Sequence, residues 1–311
     1  MDKKAFVTDI NLSPALEARQ VKRSYGAKRA LDGVDLTIPA SGGVTALLGP
    51  NGAGKSTIVN CALGLSRISS GELRLFGALP GSIPARKRIG VMLQDAELPE
   101  NLTAREHIRL FASYYENPVP TGDVIAQCMI SDFADASYQN LSGGQKRRIQ
   151  FALAIVGRPD LIFLDEPTTG LDIDARRNLW SIIRTLAENG AAIVLATHYL
   201  DEADLLADRI VIIGNGRILS DAPTPKFREK LGGAVIRCGT SLSETSLRSL
   251  PAIRTARRSG RLAEVTTRDA VLTLRALFEA DDTIDDLSVR EPTLEDVFLD
   301  ITNPDGRGGE H

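Results

Sequence analysis

Cysteine is scarce here: Cys61, Cys128 and Cys238 stand far apart, with neither metal-ligand nor disulfide spacing. Reduced thiols in a cytosolic compartment are therefore expected. An excess of positive charge is also missing, since 37 Lys and Arg face 40 Asp and Glu, a net charge of −3. That balance argues against a basic face for nucleic acid, and none is expected as a partner. Local clusters such as "KRR" (Lys146 to Arg148) read as solvated helix surface. Long apolar runs are absent too: "VTALL", "AAIVLA" and "RIVII" have the length of strands, far short of a bilayer span. The opening "MDKKAFVTDINLSPALEAR" lacks the apolar core of a signal peptide. The chain is expected to act from the water side of any membrane it serves.

What is present suffices for a packed core. Hydrophobic residues make up 43% of 311, enough for one large or two modest domains. Buried, strand-length runs alternate with helical patterns from "VTALL" to "RIVIIG", which predicts an α/β core with a largely parallel sheet. The pattern turns helical from Thr103 to about Tyr138 and breaks at "ENPVPTGD", where the prolines remove donors and Gly-Asp favours a turn. "NGRILSDAPTP" reads as a turn-rich boundary. Beyond it a strand near "AVIRC", a helix near Ser243 to Leu250, a hairpin around "RRSGRLAEV", the helix "DAVLTLRALFEA" and the strand "DDLSV" predict a small α+β domain, closed by the helix "TLEDVFLDIT". The expected divisions are a flexible leader (1–17), a main domain (18–220) with a helical insert at about 96–140, the small domain (221–303) and a disordered tail (304–311).

The segment "GPNGAGKST" fits G-x-x-x-x-G-K-[ST] between a predicted strand and a predicted helix. Its residues Gly49, Pro50, Asn51, Gly52, Ala53 and Gly54 can turn backbone N–H groups inward around phosphates, while the helix that follows offers its N-terminus. Lys55 supplies a point charge to the outer phosphates, the Ser56 hydroxyl can ligate Mg²⁺, and Thr57 completes the cradle. Downstream, "LIFLDEP" puts Asp165 and Glu166 where a buried strand leaves the sheet, the edge at which ligands of open α/β sheets collect. Asp165 is placed to hold the Mg²⁺ shell; an N-capping role is its bland alternative. Glu166 is a candidate base for the attacking water, against the reading of an ordinary loop glutamate.

A second anion-binding stretch, "LSGGQ", begins another helix, where Ser142, Gly143, Gly144 and Gln145 combine a hydroxyl, N–H groups and the positive end of a helix dipole. A serine N-cap followed by a glycine turn describes the same residues and is compatible with that use.

With "GPNGAGKST", "LSGGQ" and "LIFLDEP" in this order, residues 18 to about 220 resemble an ATP-binding cassette (ABC) ATPase. The resemblance implies a phosphate-loop NTPase core with a mixed, largely parallel sheet and a helical insert, binding ATP and Mg²⁺. It implies further roles. Tyr25 would stack on adenine, Gln94 would sense Mg²⁺ and face a membrane partner, Asp172 in "TTGLD" would lie in a dimer-contacting loop, and His198 would reach the γ-phosphate. The "LSGGQ" of one copy would cover the ATP of another in a head-to-tail sandwich. "EPTLEDVFLDIT" resembles the C-terminal region of ATPases of the daunorubicin-resistance exporter type. That implies export of a drug-like, lipid-like or polysaccharide substrate through a separate permease, on the cytoplasmic face of the membrane. An importer ATPase and a soluble regulatory ATP switch are the competing readings.

Overall fold

The computed structural model describes residues 13–94, 96–231 and 233–295, with 228–231 as backbone alone. Two compact units divide the chain at Asp221 and Ala222.

The first unit opens with β1 (Leu16–Tyr25) and β2 (Lys28–Ile38), paired antiparallel with Gly26 at φ 57 in the turn between them. Then come β3 (Gly43–Leu48), α1 (Lys55–Ala62), β4 (Ser70–Arg74), α2 (Ile83–Arg86) and β5 (Ile89–Met92). The insert carries α3 (Ala104–Ala112) and α4 (Thr121–Gln127); the expected "ENPVPTGD" break ends at Pro120, and its Thr121, Gly122 and Asp123 form the first turn of α4 instead of a turn between helices. Next are α5 (Gly143–Ile155), β6 (Leu161–Asp165), α6 (Ile173–Glu188), β7 (Ala192–Thr197), α7 (Leu200–Leu206), β8 (Arg209–Gly214) and β9 (Arg217–Pro223).

Two sheets result, ordered β2-β1-β4 and β5-β6-β7-β3-β8-β9. The larger sheet is parallel from β5 to β8, and β6 and β7 are buried at every position, which is why their sequences are unbroken apolar runs. Side chains of both sheets and α1 share one core that includes Leu31, Leu47, Ile58, Leu73 and Phe163. Register then aligns the loops. Leu48 pairs with Thr197, Asp165 with Ala196 and Met92 with Leu164. The phosphate loop, the carboxylate pair, His198 and Gln94 therefore leave the sheet at one carboxyl edge.

Two local expectations are corrected. Leu16 and Glu17, read as leader, already belong to β1, and Ala15 and Leu16 are fully buried against the core. The stretch "NGRILSDAPTP", within which the two units divide, is largely strand rather than turn-rich: Asn215 and Gly216, at φ 49 and 74, make the tight turn that Asn-Gly favours, and β9 follows at the sheet edge.

The second unit begins with α8 (Thr224–Leu231) and β10 (Ala234–Gly239). It continues with α9 (Glu244–Arg248), β11 (Ile253–Ser259), β12 (Leu262–Thr267), α10 (Ala270–Ala280) and β13 (Asp285–Arg290). Its sheet is antiparallel, ordered β11-β12-β10-β13, over a core of Ile236, Cys238, Leu247, Ala256, Val265 and Leu277. Asp281, just after α10, accepts from the backbone N–H and hydroxyl of both Ser241 and Thr283 and from the Thr240 hydroxyl. Most of the expected last helix, and the tail, lie outside the described residues.

All three cysteines are free and buried, and burial pushes the Cys128 thiol up to about 12, so none is poised as a nucleophile. Among the described residues no helix is long and apolar enough to cross a membrane.

Candidate functional site

A cavity of about 380 Å³ opens at the carboxyl edge, lined by phosphate-loop residues, Tyr25, Gln94, Asp165 and Glu166. The loop is shaped by what its glycines exclude. A Cβ on Gly49 would sit 2.3 Å from the Ile213 carbonyl oxygen. On Gly54, at φ 116, it would meet the Ala30 carbonyl at 2.8 Å in a conformation that side chains rarely adopt. Ala53 N–H donates to the Pro50 carbonyl at 3.1 Å and the Ala53 carbonyl accepts from Gly216, tying the loop to the β8–β9 turn. Asn51, Gly52, Gly54, Lys55, Ser56 and Thr57 line the cavity, whereas Gly49, Pro50 and Ala53 do not.

Lys55 is buried, and its ammonium donates to the carbonyls of Gly49 and Pro50. Burial pulls its pKa down, while the charges of Glu166 and Asp165 oppose that shift. Ser56 donates its hydroxyl to Asp165 Oδ2 at 3.1 Å, so two oxygens from segments 109 residues apart converge. Burial raises the Asp165 pKa and the nearby Glu166 charge adds to it, against the Ser56 hydrogen bond and the charges of Lys55 and Arg147. A buried carboxylate beside a hydroxyl is the hard-oxygen donor set that Mg²⁺ takes together with phosphate oxygens. Among the described residues no three His, Cys, Asp or Glu gather to hold a metal by themselves. The residues fit an ion shared with phosphates.

Glu166 has a left-handed backbone, φ 50, unusual for a residue with a side chain and costing on the order of 1 kcal/mol. Its N–H bonds the Ala196 carbonyl at 2.8 Å, which fixes that turn against β7. Only 6% exposed, it accepts from His198 Nδ1 at 2.7 Å through Oε1, while Oε2 is buried with no hydrogen-bond partner. His198 thus meets Glu166, and its ring is half exposed. Tyr25 is half exposed, its hydroxyl 3.0 Å from Ser66 Oγ and its ring under the Arg23 guanidinium at 4.4 Å.

The "KRR" reading is corrected here. Arg147 is buried, and its guanidinium donates to the carbonyls of Leu93, Gln94, Asp165 and Glu166 and to Gln150 Oε1. Helical periodicity turned one member of a charged triplet inward, onto main-chain carbonyls at and just beyond the ends of β5 and β6. Lys28 and Ala30, on the β2 wall of the cavity, also escaped sequence reasoning because no motif marks them. So did Glu202 on α7, 1% exposed, which accepts from Trp180 Nε1 at 3.1 Å.

Ser142, Gly143, Gly144 and Gln145 do not join this cavity. They form a reciprocal cap on α5: Gln145 N–H donates to Ser142 Oγ at 3.3 Å, and Ser142 N–H donates to Gln145 Oε1 at 2.8 Å. Ser142 and Gly143 are exposed, and a Cβ on Gly143 would meet open space. Asp172 is likewise outside the cavity, capping α6 by accepting from Ala175 N–H at 2.8 Å.

A glycine cradle facing a hydroxyl–carboxylate pair at the edge of a parallel sheet defines a phosphate-loop nucleoside triphosphatase. Comparison narrows the class. The sequence profile of the ABC transporter family matches residues 31–169. The daunorubicin resistance ATP-binding protein DrrA3 of Streptomyces coeruleorubidus is 35% identical over 309 residues, covering 94% of this chain and 97% of that protein. The Nod factor export ATP-binding protein I of Rhizobium johnstonii is 36% identical over 304 residues, covering 94% and 96%. Among solved structures, the ATP binding subunit of an ABC transporter has TM-score 0.64 at 28% identity, over 70% of this chain and 92% of its own. A dimeric ATP-binding cassette in a post-hydrolysis state with ADP and Pi has TM-score 0.61 at 25% identity, over 67% and 98%. The chain belongs to the ABC transporter family: it is an ATP-binding subunit with ATPase activity, and its relatives include exporter-type proteins.

Proposed function

We propose that two copies of this chain close head to tail around two ATP molecules and drive export of a drug-like, lipid-like or polysaccharide substrate through a separate membrane permease. The observation that carries the pairing is the position of the "LSGGQ" helix start: it is capped, open to solvent and outside the cavity that holds the phosphate loop. An anion site of this kind is complete only when another copy presents it. The export direction rests on relatives named for drug resistance and Nod factor export, and it would place the chain on the cytoplasmic face of the membrane.

In each pocket the backbone of Gly49 to Gly54 would surround the phosphates, with Lys55 and Thr57 at the same loop and Tyr25 against the base. Ser56 and Asp165, with Gln94 alongside, would hold Mg²⁺. When bound, that ion neutralises charge between the outer phosphates. Glu166 would orient the attacking water and take its proton, and its unpartnered Oε2 leaves it free to accept one. His198, bonded to the other oxygen, would fix the orientation of that carboxylate and contact the terminal phosphate. Ser142, Gly143, Gly144, Gln145 and Asp172 would serve the partner's nucleotide.

The test is turnover. Glu166→Gln is expected to lower ATP hydrolysis by about a thousandfold while nucleotide binding persists, and to trap an ATP-loaded dimer seen by light scattering. Parental turnover in that variant removes Glu166 as the base. An ATP-loaded variant that stays monomeric removes the sandwich.

A further inference from the structure

Tyr25 lines the cavity with Lys55 and Ser56 but stands on the smaller sheet, as the last residue of β1. It is half exposed, and the Gly26 turn follows it. A side chain so placed keeps its rotamer freedom unless contacts remove it, and ordering it on binding costs affinity. Two contacts remove that freedom here. The Arg23 guanidinium lies over the ring, 4.4 Å from its centroid, and covers one face. The phenol oxygen lies 3.0 Å from Ser66 Oγ, in a hydrogen bond across 41 residues of sequence that either hydroxyl can donate. The other face of the ring is left for a planar ligand.

Ser66 owes its place to α1. Gly64, at φ 74, ends that helix in a left-handed turn: its N–H donates to the Cys61 carbonyl at 3.1 Å, and Leu65 N–H donates to the Asn60 carbonyl at 2.9 Å. Ser66 N–H joins the same Asn60 carbonyl at 3.1 Å. A Cβ on Gly64 would lie 2.7 Å from the Gly81 backbone, so the turn is also packed tightly. On its far side the loop is laced to β1. Ser69 N–H donates to the Lys22 carbonyl at 2.7 Å, and Ser69 Oγ accepts from Ser24 N–H at 3.2 Å. α1 begins with Lys55 and Ser56 and, at 1.5 Å per residue, is about 12 Å long. One short helix thus carries phosphate-side residues at its start and the anchor of Tyr25 just past its end.

We propose that Ser66 is a positioning residue for the nucleotide base: its hydroxyl, with Arg23 over one face of the ring, ties Tyr25 to α1 and holds the ring at a set distance from the phosphate loop. This rests on the reading of Tyr25 as the residue against the base. Ser66 does not line the cavity, so it acts through Tyr25. The device suits a ligand with a flat aromatic group at one end and a phosphate chain at the other, since both ends are met without further ordering.

Full-length Tyr25→Ala, Tyr25→Phe, Ser66→Ala, Ser66→Thr and the double variant Ser66→Ala/Tyr25→Phe are compared with the parent for KM and kcat of ATP hydrolysis. Competitive inhibition by inorganic tripolyphosphate, which offers phosphates without a base, is measured on each. Tyr25→Ala raises the KM for ATP about twentyfold through lost stacking. Ser66→Ala and Tyr25→Phe each raise it about fivefold, with kcat within about twofold and tripolyphosphate inhibition unmoved. Both remove the same bond, so the double variant is no worse than either single one. Ser66→Thr keeps the hydroxyl and a KM within about twofold of the parent. A parental KM in Ser66→Ala beside a raised KM in Tyr25→Ala overturns the proposal. So do multiplying effects in the double variant, or tripolyphosphate inhibition weakened in Ser66→Ala as much as ATP binding, which marks a disturbed α1. A parental KM in Tyr25→Ala removes the reading of Tyr25 against the base, and the role of Ser66 with it.

Discussion

Asp281 in the C-terminal unit and Glu166 in the cassette are both nearly buried carboxylates, yet their surroundings are opposite. Asp281 accepts five hydrogen bonds from Thr240, Ser241 and Thr283, which hold its pKa far below the usual carboxylate range. Glu166 has a bond to His198, a left-handed backbone and one oxygen with no partner. The first carboxylate staples the end of α10 to the loop after β10. The second is kept under-satisfied at the edge of a cavity. The difference teaches that hydrogen-bond saturation separates a carboxylate used for folding from one kept available for chemistry.

The comparison breaks most visibly at Arg147, whose guanidinium is saturated and yet belongs to the site. Truncation to Ala strips carbonyls on two strand ends, so Arg147→Ala is expected to cost about 3 kcal/mol in chemical unfolding and to lower turnover as well. Loss of turnover with unchanged stability would make it a direct participant in the reaction rather than a brace. Asp281→Asn comes next. It should lower the melting temperature and leave ATPase activity per folded molecule unchanged. A carboxylate with a depressed folded pKa contributes stability above its unfolded pKa, near 3.8, and loses it as pH falls toward the folded value. The deficit of Asp281→Asn should thus be complete at neutral pH and shrink in acid, as melts across pH would record. The smallest effect on stability is expected at Ser142. Ser142→Ala removes one cap and costs about 1 kcal/mol, while turnover falls far more than that loss of folding explains. Equal, modest losses in both would reduce Ser142 to a cap alone.

Legibility in the sequence followed the same division between local and assembled features. "VTALL", "LIFLD" and "AAIVLAT" are strands because both faces of the parallel sheet are covered, which leaves no polar positions to blur the signal. The phosphate loop was readable because backbone geometry dictates its glycines at fixed spacing. The β11–β12 hairpin, with Gly260 at φ 61, was marked by its own turn. Arg147 could not be read, because its burial depends on carbonyls contributed by residues 93, 94, 165 and 166, which meet only in the folded chain. Glu202 was hidden for a similar reason: an acid within "LDEADLL" looks like ordinary helix surface until Trp180 closes over it. At Leu16 the error was one of context, as an apolar residue near a chain start gains meaning only from the sheet that receives it.

Arg147 grips main-chain oxygens from the segment holding Gln94 and from the segment holding Asp165 and Glu166 with a single planar group. A rigid fork cannot stretch, and a cation pulled out of register inside the protein has no water to replace the oxygens it loses. Those two segments therefore travel as one piece. A tug on the Gln94 side is felt at once by the hydrolytic carboxylates, as a linkage with no slack.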